Sequence, residues 1–286
     1  MKSPGWDPMR GGGKWRNGEV KSDLVEAGSC LYDDETKLHM AIKRRVQRKG
    51  DSWDDLAASE LQQLKDVGNK GHAMAQLNLG LMYYKGQGVD RSFVEAVRWW
   101  RKGAEQDSNA RDAIVACCFN LGQSYMLGKG VARCDKQAIQ WLRKAADNGF
   151  VKAMYNLGIM YFQGQCVIPS CVEALQWWLK AAEQHDAQAQ CHLGIMYYLG
   201  QGVAQSDEEA LRWWSKAAVR GDYPPAQHNL GFMYLHGKGV AQSDAEAERW
   251  QQKAGSSFDP LYKWHQSSSQ NCIPLCSESI RCLRYT

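Results

Sequence analysis

Apolar residues recur along this chain in helical steps and then give way to a short glycine-rich gap, five times over. In the clearest copy Ala153, Leu157 and Tyr161 stand at i, i+4 and i+8, which puts them on one buried face of a helix. A second apolar stripe follows each gap, built from alanine, tryptophan and alanine. Each copy therefore predicts two helices joined by a tight turn.

The register is strict. Taking the glycine of each Leu-Gly pair as anchor gives Gly80, Gly122, Gly158, Gly194 and Gly231, spaced by 42, 36, 36 and 37 residues. Repeat lengths of this size belong to solenoids. Tyrosine stands three after every anchor (Tyr83, Tyr125, Tyr161, Tyr197, Tyr234), and a turn glycine stands six after it (Gly86, Gly128, Gly164, Gly200, Gly237). Alanine, tryptophan and lysine follow at plus sixteen, nineteen and twenty-two, as in Ala96, Trp99 and Lys102. The anchor glycine costs about 1 kcal/mol of helix propensity against alanine, tolerable where another helix passes too close for a Cβ.

The turn glycine suits a left-handed helix stop. Ser92 with Glu95, Ser170 with Glu173, Ser206 with Glu209 and Ser243 with Glu246 read as capping boxes that open the second helices. Tryptophan at plus nineteen or twenty fills the gap between neighbouring hairpins. Glu95–Arg98, Glu209–Arg212 and Glu246–Arg249 fall at i, i+3 and mark a solvated face.

Around this array the chain divides by composition. Residues 1–22 carry glycine, proline and charge and read as a disordered arm, and 23–50 as a basic helical segment. Residues 51–70 read as a degenerate half-repeat capping five full repeats over 71–255. The tail, 256–286, contains serine and cysteine and loses the period. No sixth unit covers the fifth, so the last hairpin is expected to leave an apolar end. Phe258, Leu261, Tyr262 and Trp264 would fold back on it, or another chain would cover it in end-to-end self-association.

Charge narrows the partners. Net charge is +4, but residues 51–255 carry 21 basic and 22 acidic side chains, which leaves no electrostatic footprint for nucleic acid or a membrane surface. No 18-residue apolar run and no signal-peptide pattern occurs, and ten cysteines without a secretion signal read as reduced thiols. Both point to a cytoplasmic protein, or a nuclear one if the basic run 43–49 acts as an import signal rather than as a solvated helix face.

The motif Ala-x-x-x-Leu-Gly-x-x-Tyr-x-x-Gly-x-Gly-Val, then Ala-x-x-Trp-x-x-Lys-Ala-Ala, resembles the Sel-1-like repeat family, a branch of the tetratricopeptide-type helical solenoids. The resemblance implies an all-α, right-handed α-solenoid of helix-turn-helix repeats that works as an adaptor, with no catalytic residues and no cofactor. A cysteine-rich secreted branch of the family, with members described as binding or hydrolysing β-lactams, is the alternative. Its regular disulfide pair in each repeat is missing here, because Cys117, Cys118, Cys134 and Cys191 occupy different or unpaired repeat positions. Cys272 and Cys276 form a lone C-x₃-C and carry no metal site by themselves.

The candidate binding surface is a polar strip on the first helices. Asn78, Asn120, Asn156, His192 and Asn229 stand two before their anchors, flanked by Lys152, Gln163 and Gln188. On the concave face these groups would pair with a peptide or helix of a partner protein, since a carboxamide both donates and accepts. The competing reading has each one satisfy its own helix backbone. Tyr84, Phe162 and Tyr198, four after their anchors, would line a ligand groove or, the blander expectation, pack between repeats.

Overall fold

The computed structural model describes residues 58–106, 110–164 and 170–255. The arm at 1–22, the basic segment at 23–50, the turn around Cys166 and the tail at 256–286 lie outside the described residues. Among the described residues there are eleven helices and no strand. They are α1 (Ala58–Asn69), α2 (Ala73–Lys85), α3 (Phe93–Ala104), α4 (Arg111–Leu127), α5 (Asp135–Asp147) and α6 (Val151–Gln163). Then come α7 (Cys171–Glu183), α8 (Ala187–Leu199), α9 (Asp207–Arg220), α10 (Pro224–His236) and α11 (Asp244–Ala254). From α2 onward they pair into five hairpins, each packed on the next, as a helical solenoid requires.

The anchor glycines are explained by the residue twenty positions later. The indoles of Trp100, Trp178 and Trp214 lie flat against Gly80, Gly158 and Gly194, where any Cβ would overlap them. Each indole Nε1 donates to a carbonyl of the paired helix: Trp100 to Leu77 (3.2 Å), Trp178 to Tyr155 (3.2 Å) and Trp214 to Cys191 (3.1 Å). Glycine is thus the socket and tryptophan the plug of one hairpin. Leu142 takes the same place over Gly122.

The tryptophan one position earlier has a different partner. Lys102 Nζ sits 4.5 Å from the ring centre of Trp99, and the other four repeats reproduce the pair. Lys216 over Trp213 is the closest, at 3.9 Å. This accounts for lysine at plus twenty-two, which the hydrophobic pattern alone leaves unexplained: ammonium and ring quadrupole attract one turn apart.

The turns bear out the left-handed stop and correct the capping box. Gly86, Gly128, Gly164, Gly200 and Gly237 all have φ between 61° and 74°. Ser92, Ser170, Ser206 and Ser243 each accept the backbone N–H three residues on, at 3.2–3.3 Å. The reciprocal half differs from expectation. The serine N–H groups donate to the repeat tyrosine carbonyls (Ser92 to Tyr83 at 2.9 Å, Ser243 to Tyr234 at 3.0 Å), so no glutamate is needed there. Glu209 and Glu246 turn instead to Arg212 and Arg249, as exposed pairs at 3.2 and 3.3 Å.

Junctions between hairpins use small residues and buried carboxamides. The Cys117 thiol fills the space beside Gly103, at a joint where the later repeats place alanine on both sides (Ala145 and Ala153, Ala181 and Ala189). Gln76 Nε2 donates to Gly68 O (2.8 Å) and Gln190 Nε2 to Ala182 O (3.1 Å), satisfying carbonyls at the end of the preceding helix. Arg101 and Arg143 reach the hydroxyls of Tyr125 and Tyr161 in the next unit, both at 2.6 Å.

The ends differ. At the start, Leu64 and Val67 of α1 pack with Ala75, Leu79, Met82 and Trp99. At the finish, the expectation of an apolar end is corrected by α11 itself. Positions filled by Val97, Ile139, Leu175 and Leu211 in earlier units hold exposed Glu248, and the plug position holds exposed Gln251. Among the described residues, the last helix presents polar side chains at both positions; the expected fold-back of Phe258, Leu261, Tyr262 and Trp264 lies outside them.

Candidate partner-binding face

The strip proposed from sequence is mostly interior. Asn120, Asn156, His192 and Asn229 are 1%, 8%, 6% and 5% exposed, and only Asn78 is half-buried. The reason is the solenoid's own curvature: the residue two before the anchor lies under the joint with the preceding hairpin. His192 shows this directly, its ring packed 4.7 Å from Trp178 and 5.5 Å from Tyr155.

Local bonds absorb part of the strip. Asn78 Nδ2 donates to Met74 O at 2.8 Å, and His192 Nδ1 lies 2.9 Å from Gln188 O, four residues back in each case. Asn229 Nδ2 donates weakly to Cys191 Sγ at 3.9 Å. Asn120 differs from these, because neither its Nδ2 nor its Oδ1 has a hydrogen-bond partner. Lys152 is exposed and Gln163 and Gln188 are half-buried, so these three flanking residues do reach the surface. The structure does not gather the eight into one continuous open strip.

Electrostatics follow from burial. Desolvation pulls the His192 imidazole below its ordinary pKa, opposed by the Gln188 carbonyl, so the ring is held neutral. Burial raises Cys117 well above the usual thiol value, with Cys118 beside it adding to the effect. Cys118 is pushed up to about 11 by burial, with Lys144 acting against the shift. Neither thiol is poised as a nucleophile.

The aromatic positions four after the anchors pack first on the tryptophan of their own hairpin, and Tyr198 also reaches Phe232 of the next repeat, 6.1 Å away. Tyr84, Phe162 and Tyr198 stand 5.6, 5.5 and 5.7 Å from Trp100, Trp178 and Trp214. Tyr84 Oη also accepts from Lys129 Nζ of the next unit at 2.8 Å. Half-exposed apolar groups on the first helices do occur later in the array, at Ile195, Leu199 and Phe232. The sequence pattern aligns Leu199 with Gln188 and His192 on the strip, but passes over Ile195 and Phe232, because its buried stripe absorbs the other apolar residues of the helix.

Five segments match the family model described as Sel1 repeat: residues 73–108, 115–150, 151–186, 187–222 and 224–257. Among solved structures, a protective antigen of uropathogenic Escherichia coli with an SLR fold is similar at 36% identity and a TM-score of 0.65. That match covers 72% of this chain but only 42% of the antigen, so this chain spans less than half of its length. A Sel1 repeat protein from Oxalobacter formigenes is similar at 29% identity and a TM-score of 0.67, covering 79% of this chain and 89% of that one. No curated protein is similar enough to match.

Proposed function

Because the chain belongs to the Sel1-repeat family, whose helical repeats generally serve as protein–protein interaction scaffolds, we propose that it is a non-enzymatic adaptor. The solenoid holds a peptide or helix of a partner protein against the wall made by α2, α4, α6, α8 and α10. One observation carries this reading: five hairpins stack in a single register, so that equivalent positions recur along one extended surface. Lys152, Gln163 and Gln188 give that surface polar contacts, and Ile195, Leu199 and Phe232 give it apolar ones. The reading includes a reducing compartment, the cytoplasm or nucleus, supported by five described cysteines that form no disulfide with one another.

The test is crosslinking capture from the source cell, read by mass spectrometry. Lys152→Ala, Gln163→Ala and Gln188→Ala together should lower capture with helicity unchanged. Glu209→Gln with Arg212→Gln, on the exposed side of α9, should leave it intact. Equal capture by both variants would remove the assignment of the binding wall. Thiol titration after denaturation separates the secreted disulfide-framed alternative, which requires fewer than ten free thiols.

A further inference from the structure

Asn120 is buried to 1% exposure, yet both polar atoms of its side chain lack a hydrogen-bond partner. Natural proteins rarely leave a carboxamide in that state, because its desolvation is uncompensated. Its equivalents Asn78 and His192 bond the carbonyl four residues back. The Asn120 amide instead faces a narrow crevice between the first two hairpins, lined by Tyr84, Trp100, Gln123, Ser124, Leu127 and Lys129. The closed crevice has no room for a water molecule, so hydration does not satisfy the amide.

We propose that Asn120 binds the main chain of an extended acidic segment of a partner protein, with Lys129 binding that segment's carboxylate. This deepens the adaptor reading and rests on it. The chemistry is specific: Nδ2 donates to a peptide C=O while Oδ1 accepts a peptide N–H, which satisfies both unpaired atoms at once. A lone carboxylate or cation would satisfy only one of them. Lys129 is the cationic group of the crevice, its Nζ bonded to Tyr84 Oη at 2.8 Å and lying 5.3 Å from that ring's centre. A carboxylate is the stronger acceptor, so an acidic side chain draws Lys129 off the phenol and opens the space above Asn120. Local charge favours such a segment, since Lys85, Arg91 and Lys129 near the C-terminal ends of α2 and α4 stand against Asp90, with Arg133 paired to Asp135 at 3.0 Å.

The experiment uses the full chain and an array of twelve-residue peptides, proline-free and of matched hydrophobicity, in acidic, neutral and basic sets. Acidic peptides should bind wild type, and Asn120→Leu should weaken them about ten- to a hundredfold through two lost hydrogen bonds. Lys129→Met should weaken them and flatten the salt dependence. In the free protein Asn120→Leu should melt at or above the wild-type temperature, which separates a binding role from a structural one. The Asn120 side-chain amide resonances should shift on adding an acidic peptide. Acidic peptides that bind both variants as tightly as wild type would overturn the proposal and leave the adaptor reading standing. So would peptides that fail to bind a chain still able to capture a partner by crosslinking. Loss of both peptide binding and capture would remove the two readings together.

Discussion

Replacing Gly158 by alanine should destabilise the protein, although alanine is the better helix former. In an exposed helix interior the change would gain about 1 kcal/mol. Here the new Cβ meets the Trp178 indole, whose Nε1 is already fixed by its bond to Tyr155 O at 3.2 Å. Trp178 is 1% exposed and has nowhere to go. Overpacking of this kind costs ~1–3 kcal/mol, and a displaced indole forfeits its hydrogen bond for ~1 kcal/mol more. The net loss should be about 1–3 kcal/mol, read by urea unfolding followed at 222 nm.

The control lies in the same register. A Cβ on Gly231 meets Gln251 Cγ at 3.1 Å and the Ala247 carbonyl oxygen at 3.2 Å; the exposed Gln251 side chain can turn away, and the carbonyl must give by only a few tenths of an ångström. Gly231→Ala should therefore fall within about 1 kcal/mol of wild type, the helix-propensity gain offsetting the tight Ala247 contact. Trp178→Gln copies that arrangement into the third repeat and should cost ~3–5 kcal/mol alone. In its background Gly158→Ala should be near neutral, a coupling of roughly 2 kcal/mol between the two sites. If Gly158→Ala and Gly231→Ala shift stability alike, the plug and socket do not explain the anchor glycine.

Two further substitutions test the interior. His192 has a folded-state pKa below its unfolded value, so its contribution is complete above about pH 6.5 and is lost as pH falls, by ~1.4 kcal/mol per pH unit down to the folded pKa. His192→Asn, the residue four other repeats carry, should abolish that part of the acid sensitivity; equal slopes for both proteins between pH 7.5 and 5.5 would refute it. Gly103→Ala should destabilise by ~1–3 kcal/mol because its Cβ meets Cys117 Sγ, and adding Cys117→Ala should restore most of the loss by remaking the alanine pair of the later junctions. Thermal melts of the single and double variants decide this one.

The hairpins were legible in the sequence because each signal is local: a period of four, a turn glycine, a serine cap. Long-range signals were harder to assign, for reasons the same residues show. The lysine at plus twenty-two is visible in every repeat, but its reason depends on which of two adjacent positions faces the anchor glycine. Only the fold settles that Trp100 packs on Gly80 while Trp99, buried against α1, carries Lys102. Gln76, Gln190 and Gln227 are four before their anchors and share a junction role, yet Cys118 and Met154 interrupt the series and hide it. The candidate strip was drawn from a single isolated helix. Burial of Asn156 and Asn229 comes from the neighbouring hairpin, and a helical wheel contains no neighbour.

That neighbour also decides how the array ends. In the first four units the plug residue faces two surfaces, its own anchor glycine and the first helix of the next hairpin, and each is at most 1% exposed. In the fifth, Gln251 meets only the first of these, and Glu248 replaces the aliphatic residue three positions earlier in the helix. Restoring the repeat consensus with Glu248→Leu and Gln251→Trp should create an apolar patch of a few hundred Å², the size at which exposed surfaces begin to associate. Wild type should sediment independently of concentration as far as this face is concerned, and the double variant should shift to larger species as concentration rises. A double variant that sediments like wild type across that range would show that something other than polar substitution closes the last repeat. The single change Gln251→Trp should give an intermediate shift, because Glu248 still places a charge one turn away in the middle of the new patch.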